Sequence, residues 1–170
     1  MQNHLREILS ALADAGVEFV VAGGVAVVLH GVERLTLDLD LAIEMTPENL
    51  DRFLRTMRKL RLIPRIPVVA ESLANPEVLR KMIEDKGALV FSFIDNDKPI
   101  RQVDVFLTKD LSYRRLSSDA VKIRVGKRKF QVASIDRLLE IKKSIREPRE
   151  KDMIDIRELT RLKRTKTHKS

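Results

Sequence analysis

From Arg34 to Leu41 polar and apolar residues alternate strictly: Arg34, Thr36, Asp38 and Asp40 are separated by Leu35, Leu37, Leu39 and Leu41. In a β-strand this pattern places the polar side chains on one face and the leucines on the other, so a strand is predicted over 34–43. Before it, Leu5, Ile8, Leu9 and Leu12 have helical spacing and Gly16 is a stop, which predicts a helix over 3–15. The apolar run 17–22 predicts a buried strand leading into Gly23-Gly24, and a short helix over 25–30 ends at Gly31. Thr46-Pro47-Glu48 opens a helix that reaches about residue 61, with Leu50, Phe53, Leu54, Met57 and Leu60 inside. Pro64 and Pro67 restrict 62–70 to an irregular or edge strand.

Asn75-Pro76-Glu77 opens the next helix, which ends near Gly87. Segments 88–94 and 100–107 read as paired strands around the turn at 95–99, and 121–125 with 130–132 as a hairpin around Gly126-Lys127. Ser134 caps a helix over 135–146, Pro148 interrupts it, and a last helix covers 149–162. Strands and helices mix without a βαβ rhythm, so the expected class is α+β: a mixed sheet with helices packed on one side. The expected organisation is a core at 1–133, a C-terminal helical extension of the same domain at 134–162, and a basic disordered tail at 163–170.

Two aspartates on one strand face stand about 6–7 Å apart at their Cα atoms, and like charges there repel. A divalent cation offsets that repulsion, and carboxylate oxygens are what Mg²⁺ prefers. The upstream glycine pair lets backbone approach a phosphate closely. Asp104, in Gln102-Val-Asp-Val-Phe106, points away from the apolar face of its own predicted strand. If that strand lies beside 34–41, three carboxylates converge, a constellation suited to phosphoryl or nucleotidyl transfer.

Composition narrows the setting. The net charge is +8, which favours polyanions such as nucleotides or RNA. The absence of cysteine excludes disulfides and thiolate metal sites, and one Tyr with no Trp argues against a single-strand binder built on stacking. No apolar run has the length of a membrane span, and the first residues lack the apolar core of a signal peptide, so the expected location is the cytoplasm with no membrane partner.

Gly23-Gly24, His30-Gly31 and Arg34-Leu-Thr36-Leu-Asp38-Leu-Asp40 together resemble the nucleotidyltransferase superfamily of polymerase beta-like fold, whose pattern is Gly-Gly or Gly-Ser, a spacer, Asp-apolar-Asp and a third Asp on a later strand. The His-Gly and Arg-x-Thr elaboration resembles its abortive-infection branch, often toxins of toxin–antitoxin pairs. That branch also carries a helical lysine followed by Arg-x-Lys-Asp-x-x-Asp, as in Lys142-Lys143 and Arg149-Glu-Lys151-Asp152-Met-Ile-Asp155.

The resemblance implies transfer of a nucleoside monophosphate from an NTP, with Mg²⁺ or Mn²⁺ as cofactor, to a hydroxyl of RNA (tRNA) or protein, and an antitoxin or toxin partner. Asp38 and Asp40 would bind metal. Asp104 would complete the metal site or activate the acceptor. Gly23 and Gly24 would hold the β- and γ-phosphates, Arg34 and Thr36 would touch phosphate or buttress the carboxylates, and Lys142 would neutralise the triphosphate. Gly24 stands where many members have Ser, and the link from Lys142 to Arg149 is long, which leaves open whether Lys142 or Lys143 faces the site. These departures keep a second reading in play, a nucleotide- or partner-binding module without turnover.

Plainer roles compete. A solvated edge strand also alternates. His30 suits a helix end, Lys142 an ordinary wet helix position, Lys151–Asp155 an i,i+4 pair, and Arg52, Arg55, Arg58, Lys59 and Arg61 a solvated or RNA-facing helix face.

Overall fold

In the computed structural model, which describes residues 1–167, a mixed sheet of seven strands runs in the order β3-β4-β5-β2-β1-β7-β6. The strands are β1 (Phe19–Val21), β2 (Asp38–Ile43), β3 (Ile63–Pro64), β4 (Val90–Ile94), β5 (Gln102–Phe106), β6 (Val121–Val125) and β7 (Arg128–Val132). The helices are α1 (Asn3–Asp14), α2 (Gly23–Leu29), α3 (Pro47–Lys59), α4 (Pro76–Lys86), α5 (Tyr113–Ser117), α6 (Ile135–Lys143) and α7 (Glu150–Thr167). β2 lies parallel to β5 and β1 parallel to β7, while the other pairings are antiparallel. Among the described residues no helix is long and apolar enough to cross a membrane.

The predicted helix faces fill one continuous core: Leu5, Ile8, Leu9 and Leu12 of α1 and Phe53 and Met57 of α3 are buried together with Phe91, Phe93, Val103 and Val105 of the sheet. Phe53 meets Phe93 edge-on at 5.5 Å between ring centroids, a geometry that adds to burial alone. The Asn75 side chain caps α4 by accepting from the amides of Glu77 and Val78. The Arg-rich face of α3 is tied partly to acids, Arg55 to Asp51 and Arg58 to Glu71. His30 bonds to the Ala133 carbonyl at 2.8 Å and so joins the end of α2 to the start of α6.

Three elements differ from the sequence reading. The strand predicted over 34–43 begins only at Asp38, and residues 34–37 are irregular. β1 pairs only with residues 41–43 of β2, and β5 only with 38–41, so 34–37 have no ladder to join. They peel away, and the expected burial inverts: Leu35 and Leu37 are 71% and 39% exposed while Thr36 is 6% exposed. The helix expected from residue 25 begins at Gly23 itself. The last helix runs to Thr167, past the expected end at residue 162, so 163–167 of the expected disordered tail are helical and 168–170 lie outside the described residues.

Candidate active site

The parallel pairing of β2 with β5 sets Asp40 directly opposite Asp104 in register. Asp38 lies two positions earlier on the same strand face. The three carboxylates that the sequence placed on separate segments therefore share one wall of a cleft of about 410 Å³. Gln102, at the start of β5, donates to both carboxylate oxygens of Asp104 at 3.0 Å and holds it in place.

Gly23 faces them. Its φ of +55° lies in the left-handed region, and a Cβ added there would fall 1.8 Å from the Asp40 carboxylate. Only glycine fits on both counts. The Gly24 backbone amide bonds to the Asp40 carboxylate, so this N–H, expected to meet phosphate, is engaged by the acid. Arg34 and Lys142 line the same cleft. Thr36 and Arg34 also line a second hollow of about 380 Å³, which shares Asp38 and Lys151 with the first.

Lys142, rather than the exposed Lys143, faces the cleft. Its ammonium is buried and bonds Asp152 at 3.0 Å and Asp155 at 2.7 Å. Asp155 also pairs with Arg34, and Asp152 with Arg149 at 2.9 Å. Asp155 thus holds Lys142 and Arg34 rather than Lys151, which corrects the i,i+4 reading. The sequence offered Asp152 and Asp155 as a helix-surface motif, yet both are 1% exposed. Their spacing puts them on one face of α7, and the only signal that could have located them was the apolar company they keep at Ile156 and Leu159.

Burial, then the charges of Asp38 and Asp104, push the Asp40 carboxyl up to about 7, against the pull of the Gly24 amide and Lys142. Asp152 moves the other way. Burial raises it, but hydrogen bonds from Arg149 and Lys142 outweigh this and hold it well below the usual carboxylate range.

The two shifts set opposite pH slopes. Asp40 keeps its proton in the native state where the unfolded chain has lost it, so stability falls as pH rises from about 4 through 7. Asp152 stays ionised in the native state, so its contribution is present above about pH 4 and is lost as pH falls below that. Metal-free protein is therefore expected to melt highest near pH 4–5. Melting curves at pH 3, 5, 6.5 and 8 check this; a melting temperature that climbs from pH 5 to 8 contradicts it.

The donor set suits Mg²⁺ or Mn²⁺: three hard carboxylates whose mutual repulsion is plain in the raised Asp40. Among the described residues no three His, Cys, Asp or Glu side chains enclose a metal-sized point by themselves. Mg²⁺ does not need such a cage, since it usually keeps waters and takes one or two carboxylates together with substrate phosphates.

No family model matches the sequence, and no curated protein does. Solved structures do. The lincosamide antibiotic adenylyltransferase LnuA, in its lincomycin-bound crystal structure, superposes with a TM-score of 0.65 at 15% identity, over 95% of this chain and 98% of that one. The antibiotic-resistance factor ANT(2'')-Ia, crystallised with adenylyl-2''-tobramycin, gives 0.55 at 13% identity over 98% and 97%. Its solution structure gives 0.56 at 12% identity over 92% and 80%. The chain has the nucleotidyltransferase fold. At these identities the likeness speaks for the architecture, that of the polymerase beta-like nucleotidyltransferase superfamily. In this nucleotidyltransferase fold the cleft walled by β2 and β5 is the place where the acidic side chains gather.

Proposed function

We propose that the protein is a metal-dependent nucleotidyltransferase that moves a nucleoside monophosphate from an NTP to a hydroxyl of an RNA, with tRNA the first acceptor to test. The supporting observation is the in-register pair Asp40–Asp104 with Asp38 beside it, facing a glycine that only glycine can be.

In this reading the acceptor oxygen attacks the α-phosphorus. The new O–P bond forms as the bond to the bridging oxygen of the β-phosphate breaks, and pyrophosphate leaves. Asp38 and Asp40 hold the metal, which when bound neutralises the phosphate charge developing in transfer. Asp104, oriented by Gln102, takes the acceptor's proton. Arg34, Arg149 and Lys151 bring positive charge to the cleft; Arg34 and Arg149 are tethered by Asp155 and Asp152.

The charge around the cleft favours an anionic acceptor. Beyond the three site carboxylates, its only lining acid is Asp152, which two cations already neutralise. A polycation would meet Arg149 and Lys151 at the mouth, whereas RNA complements them and the net charge of +8. A role as the toxin of a toxin–antitoxin pair rests on the His30-Gly31 and Arg149-to-Asp155 motifs.

A second reading, a nucleotide-binding module without turnover, is favoured by a specific observation: the Gly24 amide and the Lys142 ammonium are both committed to carboxylates. One experiment separates the two. Incubation with α-labelled NTPs, Mg²⁺ and total tRNA is expected to label tRNA and release pyrophosphate. A Mg²⁺-dependent rise in melting temperature with NTP, but no label in tRNA or protein, supports the module. No melting shift with any NTP overturns both.

A further inference from the structure

Thr36 is buried, 6% exposed, and its hydroxyl touches neither solvent nor any hydrogen-bond partner among the described residues. An unpaired buried hydroxyl is costly, and such exceptions mark strain, function or an absent ligand. What the hydroxyl abuts distinguishes these. A Cβ built on Gly24 would lie 2.5 Å from Thr36 Oγ1 and 3.2 Å from both Thr36 Cβ and Arg34 Nη2. Thr36 therefore occupies the space that a side chain at position 24 would take. Gly24 lines the main cleft and Thr36 the adjoining hollow, with Arg34 and Asp38 common to both.

We infer that the Thr36 hydroxyl is a ligand for a phosphate of the bound nucleotide, supplying from the approach to β2 the hydrogen-bond donor that Gly24 lacks. The inference rests on the nucleotidyltransferase reading above. The hydroxyl rotates freely and can donate to an anionic oxygen, and the Arg34 guanidinium at the same point adds charge. The Gly24 amide is already given to Asp40, so a phosphate entering the wedge between Gly24 and Arg34 finds Thr36 as its uncommitted neutral donor. Arg34 is the movable wall of that wedge, because the opposite wall is backbone. Position 24 and position 36 then carry one function between them: a hydroxyl fits at one or the other, not at both.

Binding of Mg²⁺–NTP and of Mg²⁺–tripolyphosphate, a probe without a nucleoside, is measured by calorimetry, with the ligand-free melting temperature alongside. Thr36→Val keeps the shape and removes the donor. It is expected to weaken both ligands about tenfold, the cost of one charge-assisted hydrogen bond, while the ligand-free protein melts at least as high as wild type. Thr36→Ser is expected to bind as wild type. Gly24→Ser is expected to lower the melting temperature through the clash, and Gly24→Ser/Thr36→Ala to restore both stability and binding.

If wild type binds and Thr36→Val binds equally well, the inference fails while the nucleotidyltransferase reading stands. If Thr36→Val loses stability together with binding, Thr36 is a packing residue and the inference also fails. If wild type binds neither ligand, both fall.

Discussion

Asp40→Asn is expected to reduce nucleotidyl transfer by on the order of 10³-fold or more and, in the same protein, to raise the melting temperature of the metal-free form at pH 8. The two effects share a cause. Asp40 is held beside Asp38 and Asp104 in a buried position where its charged form is disfavoured, which puts its carboxyl at about 7. Asparagine keeps an oxygen for the Gly24 amide but removes the charge. At pH 8 this relieves roughly 2 kcal/mol of repulsion and desolvation, or about 5 °C for a chain of this size. The gain is expected to vanish near pH 5, where wild-type Asp40 is itself protonated, so the variant flattens the descending arm of the pH–stability profile. Melting curves of both proteins at pH 5 and pH 8 with EDTA, paired with a transfer assay, test it. A variant less stable than wild type at pH 8 would show that the carboxylates are not in electrostatic conflict, and an active variant would remove Asp40 from the metal site.

Lys142→Met is expected to cost about 3 kcal/mol of unfolding free energy. The lysine ammonium lies between Asp152 and Asp155, each 1% exposed. Methionine fills the volume and leaves two buried carboxylates with one arginine each, Arg149 and Arg34. Removing one member of a buried ionic cluster is far more damaging than replacing the whole cluster, because an uncompensated charge stays behind. Lys142→Met/Asp155→Asn is therefore expected to recover part of the loss, a coupling that a double-mutant cycle reads directly. Denaturant melts of the four proteins supply the numbers; a single-variant cost below about 0.5 kcal/mol would mean the cluster is effectively solvated. Because Asp155 also anchors Arg34, nucleotide affinity is expected to fall along with stability. The network thus carries two burdens: it docks α6 and α7, and it fixes one wall of the cleft.

The network also explains why Lys142 is a poor simple counter-ion for triphosphate as the chain stands. Its charge reaches Asp40, lowering that carboxyl against the larger effect of burial, but its hydrogen bonds go to α7. A triphosphate that recruits Lys142 must take it from Asp152 and Asp155, and this couples nucleotide binding to the seat of the C-terminal helix.

Local patterns in the chain were enough for the elements with regular periodicity and strong caps: α1, α3, α4 with its Asn75 cap, and the strands holding Asp40 and Asp104. The strict alternation of 34–41 also put Arg34, Asp38 and Asp40 toward one cleft, because strand geometry alone dictates the face. Those patterns could not say where the strand stops. Alternation persists through Leu35 and Leu37, but a residue belongs to a sheet only if a neighbour offers a ladder, and β1 and β5 are too short to reach them.

Pairing across the sheet, which no local pattern encodes, decided that Asp104 faces Asp40 in register. The packing of α7 against α6 turned Asp152 and Asp155 from surface acids into a buried clamp, because a helix face is apolar or ionic only with respect to what covers it. The contact of Thr36 with Gly24 came from the peeling of 34–37 over the start of α2, a contact between residues that are distant in sequence and so visible only in three dimensions.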